Sequence, residues 1–420
     1  MRRILRPLVA AVLLIALAVA GPAAAGQSLP GVVSDQPVVW TPNVLDGTVT
    51  AIAVVGDTVV VGGDFTAVAE AGGKTRLPRR YLFAFQLGTG RVLDAAPVLD
   101  GPVTALAASP SGGVYVAGKF ARVNGTARPG LAELDVATGA LVPGFDAKAG
   151  KGQIRALVAA GSWVYAGGTF TSIGGARRTG LARLDAATGA ADPAFDLRLA
   201  NANHDKVKVE ALAVTNDGAR LAAVGAFDTA SGQRRPQLLV AGVGGTAPAL
   251  DAWSTDAYAA RCKTLYDSYL RGVDFAPDGT WLAVAATGGM SGATRMCDSV
   301  ARFDLNGPGN HAPAWVNRTG GNTLWSVAVT GAAVYVGGHQ QWMDNPAGHK
   351  SAGPGAVYRP GIAALNPRTG AALPWNPTHS RGVGVGVLVT SPAGLLVGSD
   401  TDQLGRTYHG RIGLLPAVDG

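Results

Sequence analysis

Several signatures of catalysis are missing from the 420 residues. There is no Gly-x-Ser-x-Gly elbow, P-loop or dinucleotide fingerprint, which removes the motif-based case for an α/β-hydrolase, an NTPase or a nicotinamide enzyme. None of the six histidines stands in His-x-x-x-His spacing with a Glu, so no zinc-hydrolase site is readable. Cysteine is reduced to Cys262 and Cys297, without the Cys-x-x-Cys spacing of a redox centre. Past the N-terminus no Lys/Arg run reads as a nucleic-acid tract.

What is present points to one large β architecture. With 47% hydrophobic residues the chain is not disordered, and 60 Gly, about twice average usage, disfavours a helical bundle. Length alone suggests two or three domains, unless one repeated β fold takes up the whole chain. Residues 1 to 25 combine a basic start, an apolar run from Leu8 to Ala20 and small residues at Ala23, Ala24 and Ala25. That is the three-part pattern of a secretory signal cleaved after Ala25. The run is too short to span a bilayer, and no Cys follows the cleavage point, so no membrane or lipid anchor is expected. Loss of Arg2, Arg3 and Arg6 lowers the formal charge from +7 to +4 on residues 26–420.

Internal repetition organises those residues. VVVGGDF (59–65), VYVAGKF (114–120) and VYAGGTF (164–170) recur, with weaker copies at 221–227, 334–340 and 395–400. Each follows an apolar run and a short turn, as at Gly56-Asp57 and Asn216-Asp217-Gly218. Two apolar runs about such a turn form a hairpin. A variable loop, a third run, a Thr-Gly turn and a fourth run complete each repeat. From Gly63 to the aligned Ser399 is 336 residues in six intervals, a mean of 56. Seven units of that size account for the mature chain. The expectation is an all-β fold, a seven-bladed β-propeller of four-stranded blades in a single domain, 26–420. The last repeat lacks a fourth run, and Val38-Val39-Trp40-Thr41-Pro42 would supply it, so that the N-terminal strand closes the ring.

The segment VYAGGTF followed by GLARLDAATGAADPAFD (164–196) resembles the delta-sixty type repeat propellers of secreted bacterial proteins. CDSVARF (297–303) and the stretches 319–345 and 381–402 are similar to a subgroup of them. The resemblance implies a secreted propeller over nearly the whole mature chain and carries no catalytic residue with it. The GG pair is also kelch-like, although the kelch Tyr and Trp pattern is missing.

Residues repeated in every unit read as scaffold. Asp135, Asp185, Asp304 and Asn366 enter the turn between strands three and four, where such side chains accept from backbone amides. Phe65, Phe120, Phe170 and Phe227 form a column expected to pack between blades, and Trp40, Trp253, Trp315 and Trp375 fill the fourth run. A further column, Arg79, Arg128, Arg178, Arg235 and Arg359, stands just before strand three, with Cys297 and His409 aligned to it. Paired carboxylates tying neighbouring blades are the expected partners, in preference to a basic ring for anionic polymers. Cys262 and Cys297 are expected to form a disulfide, which over about 36 residues stabilises by roughly 3 to 4 kcal/mol in the chain-entropy model. The run Gly382–Gly386 reads as an inner strand packed near the axis.

The variable loops emerge on one face, and their chemistry gathers in blades four to seven. Candidate ligand-binding residues are Arg271, His339, Gln340, Trp342, Asn345, Arg381, Asp400 and Asp402, with His204 and Tyr266 nearby. Trp342 is the tryptophan expected to stack on a sugar ring. The expected function is binding of an extracellular or cell-wall glycan by a secreted monomer, with no nucleic-acid partner. The alternatives are a polysaccharide lyase or glycoside hydrolase using His339, Tyr269 and Arg381, or a scaffold for an extracellular protein. No cofactor is expected, although Asp400 and Asp402 would suit part of a Ca²⁺ shell.

Overall fold

The computed structural model describes residues 27–202, 206–245, 247–262, 268–289 and 295–418. The expected signal, 1–25, lies outside them, as do Asn203, His204, Asp205, Lys263, Tyr266 and Asp267.

All regular structure among the described residues is β. Seven antiparallel meanders follow in order. Sheet one comprises Val49–Val55, Thr58–Gly63 and Leu82–Gln86; sheet two, Val103–Ala108, Val114–Gly118 and Leu131–Leu134; sheet three, Ile154–Ala160, Trp163–Gly168 and Leu181–Asp185. Sheet four adds a fourth strand to Lys208–Val214, Arg220–Ala226 and Leu238–Gly242, at Ala249–Leu250. Sheet five comprises Leu270–Phe275, Trp281–Ala286, Ser299–Asp304 and Trp315–Arg318. Sheet six has Leu324–Val329, Val334–Gly338 and Ile362–Leu365, and sheet seven Val387–Ser391, Gly394–Gly398 and Ile412–Pro416.

The second strands are buried almost without alternation, as in Val114–Gly118 and Val334–Gly338. A strand reads this way when both faces of its sheet are covered. The covering comes from neighbouring sheets. One hydrophobic cluster joins each consecutive pair, and a seventh sets Leu396, Ile412 and Leu414 of sheet seven against Val49, Val59 and Val61 of sheet one.

The GG pairs set how closely the sheets approach. A Cβ on the first glycine would run into a valine of the following sheet: Gly62 into Val103, Gly167 into Val209, Gly337 into Val385, and Gly398 into Val49. A Cβ on the second would strike the carbonyl that precedes its own inner strand, as Gly63 would strike Thr48 and Gly168 would strike Gln153. A side chain at these first glycines would push the next sheet away, and one at the second would press on its own sheet's backbone. Sheets two, four and five hold Ala117, Val224 and Ala285 at the first position.

The expectation of four-stranded blades needs correction. Only sheets four and five carry a fourth strand. In sheets one, two, three and six the fourth run meets the third strand at one bridge, Phe85 with Val92, Leu134 with Leu141, Leu184 with Ala191, and Leu365 with Ala372. The arginine column ties the outer run to its own repeat whether or not a ladder forms, since Arg235 of four-stranded sheet four also donates to the Arg234 and Asp251 carbonyls. Arg178 donates from Nε to the Phe195 carbonyl at 3.0 Å, from Nη2 to Asp192 at 2.9 Å and from Nη1 to Arg177 at 2.9 Å. Arg128 reaches Phe145, Pro143 and Ala127 in the same way, and Arg359 reaches Leu373 and Tyr358. Guanidinium donors thus satisfy carbonyls of the outer run. The partners are carbonyls of the same repeat, not the expected carboxylates between repeats, although Arg178 adds a 3.9 Å ion pair to Asp196.

Three smaller expectations also change. The N-terminal segment donates from Ser34 and Val38 to the Pro416 and Leu414 carbonyls, both at 2.9 Å, along the outer edge of sheet seven. It forms no ladder strand there, because Pro37 and Pro42 have no N–H to donate. Several loops between second and third strands are small hairpins, such as Arg122–Val123 with Thr126–Ala127. They turn on paired positive φ values, 48° and 79° at Asn124-Gly125, and 48° and 74° at Ser231-Gly232. Asp304 does not cap a turn but accepts from Arg302 Nε at 2.8 Å, whereas Asp135 and Asp185 accept from the turn amides of Thr138 and Thr188 as expected.

Replacing Arg178 with Ala should strand three carbonyls and cost about 2 to 4 kcal/mol. Urea unfolding is the check, and Arg178→Lys, which cannot reproduce the fork, should recover less than half of the loss.

Candidate functional site

The open end of the inner strands carries a repeated irregularity. In six consecutive sheets the register between first and second strands shifts at one residue: Thr50, Thr104, Arg155, Glu210, Arg271 and Trp325. A β-bulge of this kind re-aims a side chain away from the ladder. All six line an axial cavity of ≈ 280 Å³ to which all seven sheets contribute. In sheet seven the corresponding residue is Gly386, which also lines it.

Charge in this ring centres on Glu210, whose side chain is 7% exposed. Arg155 Nε lies 2.7 Å from Oε2, while Lys208 Nζ at 3.1 Å and Arg271 Nη1 at 3.4 Å lie by Oε1. Burial works to raise the pKa of this carboxyl, but Arg155, Arg271 and Lys208 outweigh it and hold it below the usual 4.5. The Arg271 guanidinium sits 5.8 Å from the Trp325 ring centroid, and Trp325 Nε1 donates to the Val383 carbonyl at 2.9 Å. Thr50 and Thr104 hydroxyls each donate at 2.7 Å to a carbonyl of the next sheet, Val103 and Ile154.

The 382–386 run is the mouth of this cavity on the side of sheets six and seven, and it precedes the inner strand that it was expected to form. His339 Nδ1 donates to the Gly382 carbonyl at 2.6 Å. Asp400 accepts from the Val383 amide at 2.7 Å and the Gly384 amide at 3.0 Å. Arg381 donates to the His339 carbonyl and to Asn322 Oδ1, the latter at 3.3 Å. His339, Arg381, Asp400 and, through Trp325, Arg271 are therefore gathered on one rim.

Other expected residues stand elsewhere. Tyr269 is 2% exposed, its hydroxyl donates to the Tyr258 and Ala260 carbonyls, and burial pushes its phenol well above the usual range. Asn345 is buried and pins its own loop through Thr319, Ser351 and Gly353. Trp342 pairs across a hairpin with Tyr358, ring centroids 5.0 Å apart, and Tyr358 is 48% exposed. Asp402 is exposed. Among the described residues no group of three or more His, Cys, Asp or Glu is placed to hold a metal ion.

The phenylalanine column changes character around the molecule. Phe65, Phe120, Phe170 and Phe227 are at most 3% exposed. In sheet five the position is Gly288, where a Cβ would meet Cys262 Sγ at 2.8 Å. The expected Cys262–Cys297 disulfide is present there, Cα atoms 5.7 Å apart, and takes the space of the ring. Sheet six has Gln340, fully buried with no hydrogen-bond partner for its amide among the described residues. Sheet seven has Thr401, whose hydroxyl meets buried His379 at 3.2 Å.

Sequence reading missed Thr50, Thr104, Arg155, Lys208, Glu210 and Trp325. The signal was one changing position in an otherwise constant opening: Val49-Thr50-Ala51-Ile52, Val103-Thr104-Ala105-Leu106, Val209-Glu210-Ala211-Leu212 and Leu324-Trp325-Ser326-Val327. A varying residue inside a repeated scaffold motif is free of the scaffold's constraint.

Residues 162–195 match a family profile described as a domain of unknown function (DUF5122) beta-propeller. A search of curated proteins returns no match. Among solved structures the chain is similar to the crystal structure of RRP9 WD40 repeats, at 11% identity over 91% of this chain and 98% of that one, TM-score 0.55. It is also similar to U3-55K, at 12% identity over 94% and 100%, TM-score 0.53. Identities this low concern the fold alone. With the all-β sheets they support a β-propeller, a fold that serves binding or scaffolding in general. No helix among the described residues is long and apolar enough to cross a membrane.

Burial lowers the pKa of His379 from 6.5 to about 4, against smaller opposing effects of the Ser380 backbone and Asp400. The depressed pKa contributes stability that is whole above pH 6.5 and is lost as pH falls toward 4, because the unfolded chain takes up the proton first. Between pH 7.5 and 4.5 the loss should be about 2 to 3 kcal/mol. Urea unfolding of wild type and His379→Gln at both values checks it, the variant showing a smaller difference by that amount.

Proposed function

We propose that the chain is an exported, monomeric glycan-binding protein whose seven sheets are the blades of a closed propeller. Its recognition face is formed by the loops of blades four to seven. Closure is supported by the cluster that joins sheets seven and one and by the Gly398–Val49 approach, the same approach that Gly62 makes to Val103. Export is supported by the N-terminal pattern and by the Cys262–Cys297 disulfide, a bond that persists in oxidising compartments. The narrower likeness to the delta-sixty type repeat propellers belongs with this reading.

The Trp342–Tyr358 pair carries the glycan assignment. Two aromatic side chains with polar tips stand opposite one another on the blade six hairpin, close in sequence to His339. Such rings accept the C–H face of a sugar while the hydroxyl of exposed Tyr358 and nearby polar groups take its hydroxyls, the Trp342 Nε1 being buried. A protein partner is the second reading, favoured by the exposure of Val383 at 65%, Tyr408 at 58% and Tyr358 at 48%. Lyase or hydrolase chemistry by His339, Tyr269 and Arg381 has less support, since the Tyr269 proton is already donated to two interior carbonyls.

A glycan array probed with the mature chain should return a ligand whose affinity drops at least tenfold in Trp342→Ala and in Tyr358→Ala. No glycan bound, or variants that bind as wild type does, would remove the assignment.

A further inference from the structure

We propose that the bulge ring at the mouth of the axial cavity is an oxyanion site, taking a carboxylate or sulfate group either free or carried on a sugar. The site does not depend on the glycan reading. It rests on how the fold delivers charge to one place. A bulge at the same register in sheets three, four and five aims Arg155, Glu210 and Arg271 into a cavity of ≈ 280 Å³. Bulges interrupt pairing and leave a residue outside the ladder, so six at one level are a built feature of this end of the fold.

Three cations gather on one carboxylate at this level. Arg155 and Arg271 face one carboxylate, and Lys208 approaches the same carboxylate from its own strand. Glu210 offers two oxygens to three cations. Arg155 meets it through Nε, an edge contact rather than the two-bond fork that matches a carboxylate best, and its side chain remains 41% exposed. An arriving oxyanion can complete that fork. Low-dielectric walls from the inner strands strengthen the field of such a cluster relative to the open surface. Trp325 adds an apolar wall beside Arg271, suited to the ring of a sugar acid, and the Thr50 and Thr104 hydroxyls line the opposite arc.

Glu210 sets the strength of the site. It offsets part of the positive charge and orders the cations while the cavity is empty, so its removal should favour an anion. Tightening on loss of a carboxylate is an effect that a purely structural ion cluster does not produce.

The test is titration calorimetry of the mature chain with sodium glucuronate, sodium sulfate and glucose at 20 and 200 mM NaCl. Glucuronate or sulfate should bind, more weakly at the higher salt, and glucose should not. Glucuronate well above sulfate assigns the group to a sugar acid, and equal binding assigns it to the free anion. Arg155→Ala should weaken binding at least tenfold, Glu210→Gln should tighten it about threefold or more, and Arg122→Ala, on an outer hairpin, should leave it unchanged. Should Arg155→Ala fail to fold, Arg155→Gln and Glu210→Gln decide. Neither anion binding better than glucose, or both ring variants binding as wild type does, overturns the proposal. Neither anion binding, with a glycan bound normally by wild type and by those ring variants, would overturn it and leave the glycan reading standing.

Discussion

The structure depends on one constraint: each sheet is apolar on both faces and must be covered twice. A single layer cannot do this, and a linear stack would leave two faces bare. Here sheet seven packs against sheet one as sheet one packs against sheet two, which is the cover that the proposed ring requires. The glycines follow from that arrangement. At Gly62, Gly167, Gly337 and Gly398 a valine from the next sheet's side occupies the place of a side chain, so those four sheets approach their neighbours closely.

At the outer runs the arginine column takes over. Beside the third strand a guanidinium gathers two or three carbonyls, in four-stranded sheet four as in sheets one, two, three and six. This satisfies the backbone with one side chain and allows the outer run to be irregular in sequence and length. The inner rim shows the opposite economy: a bulge opens the ladder, and its freed position varies from Thr to Arg, Glu and Trp. Scaffold and site are thus separated along each strand, constant in the middle and variable at the mouth.

The repeat was legible because its clearest copies keep the same turn and close-approach residues, with only small or apolar replacements such as Ala117, Val224 and Ser399 elsewhere. Glycine at a point of close approach, a Thr-Gly turn and an Asp that caps it recur in order, and their spacing gives the number of sheets. The disulfide was legible from its two cysteines. Fourth strands were over-read, since the aromatic column at Phe145, Phe195 and Trp375 marks packing and not a ladder. The arginines were read as scaffold, which their positions support, but carbonyl partners cannot be seen in a sequence while carboxylates can. The rim was half legible: His339, Arg381, Asp400 and Arg271 share it, whereas Tyr269 and Asn345, equally polar, serve the interior. Nothing in the sequence distinguished the two groups, because burial in a ring is set by the neighbouring repeat. Gln340 and His379, in or beside the column that holds phenylalanine elsewhere, show that blades six and seven depart from the apolar rule near the candidate face.

Ring closure is the central claim, and native-state hydrogen exchange tests it most directly. Amides of the second strands, Thr58–Gly63 through Gly394–Gly398, can be followed at low denaturant in all seven sheets. A closed ring has no ends, so these amides should exchange with one common free energy, within about 1 kcal/mol. An open stack frays from its termini, and earlier exchange of sheets one and seven, with protection rising toward sheet four, would contradict the account.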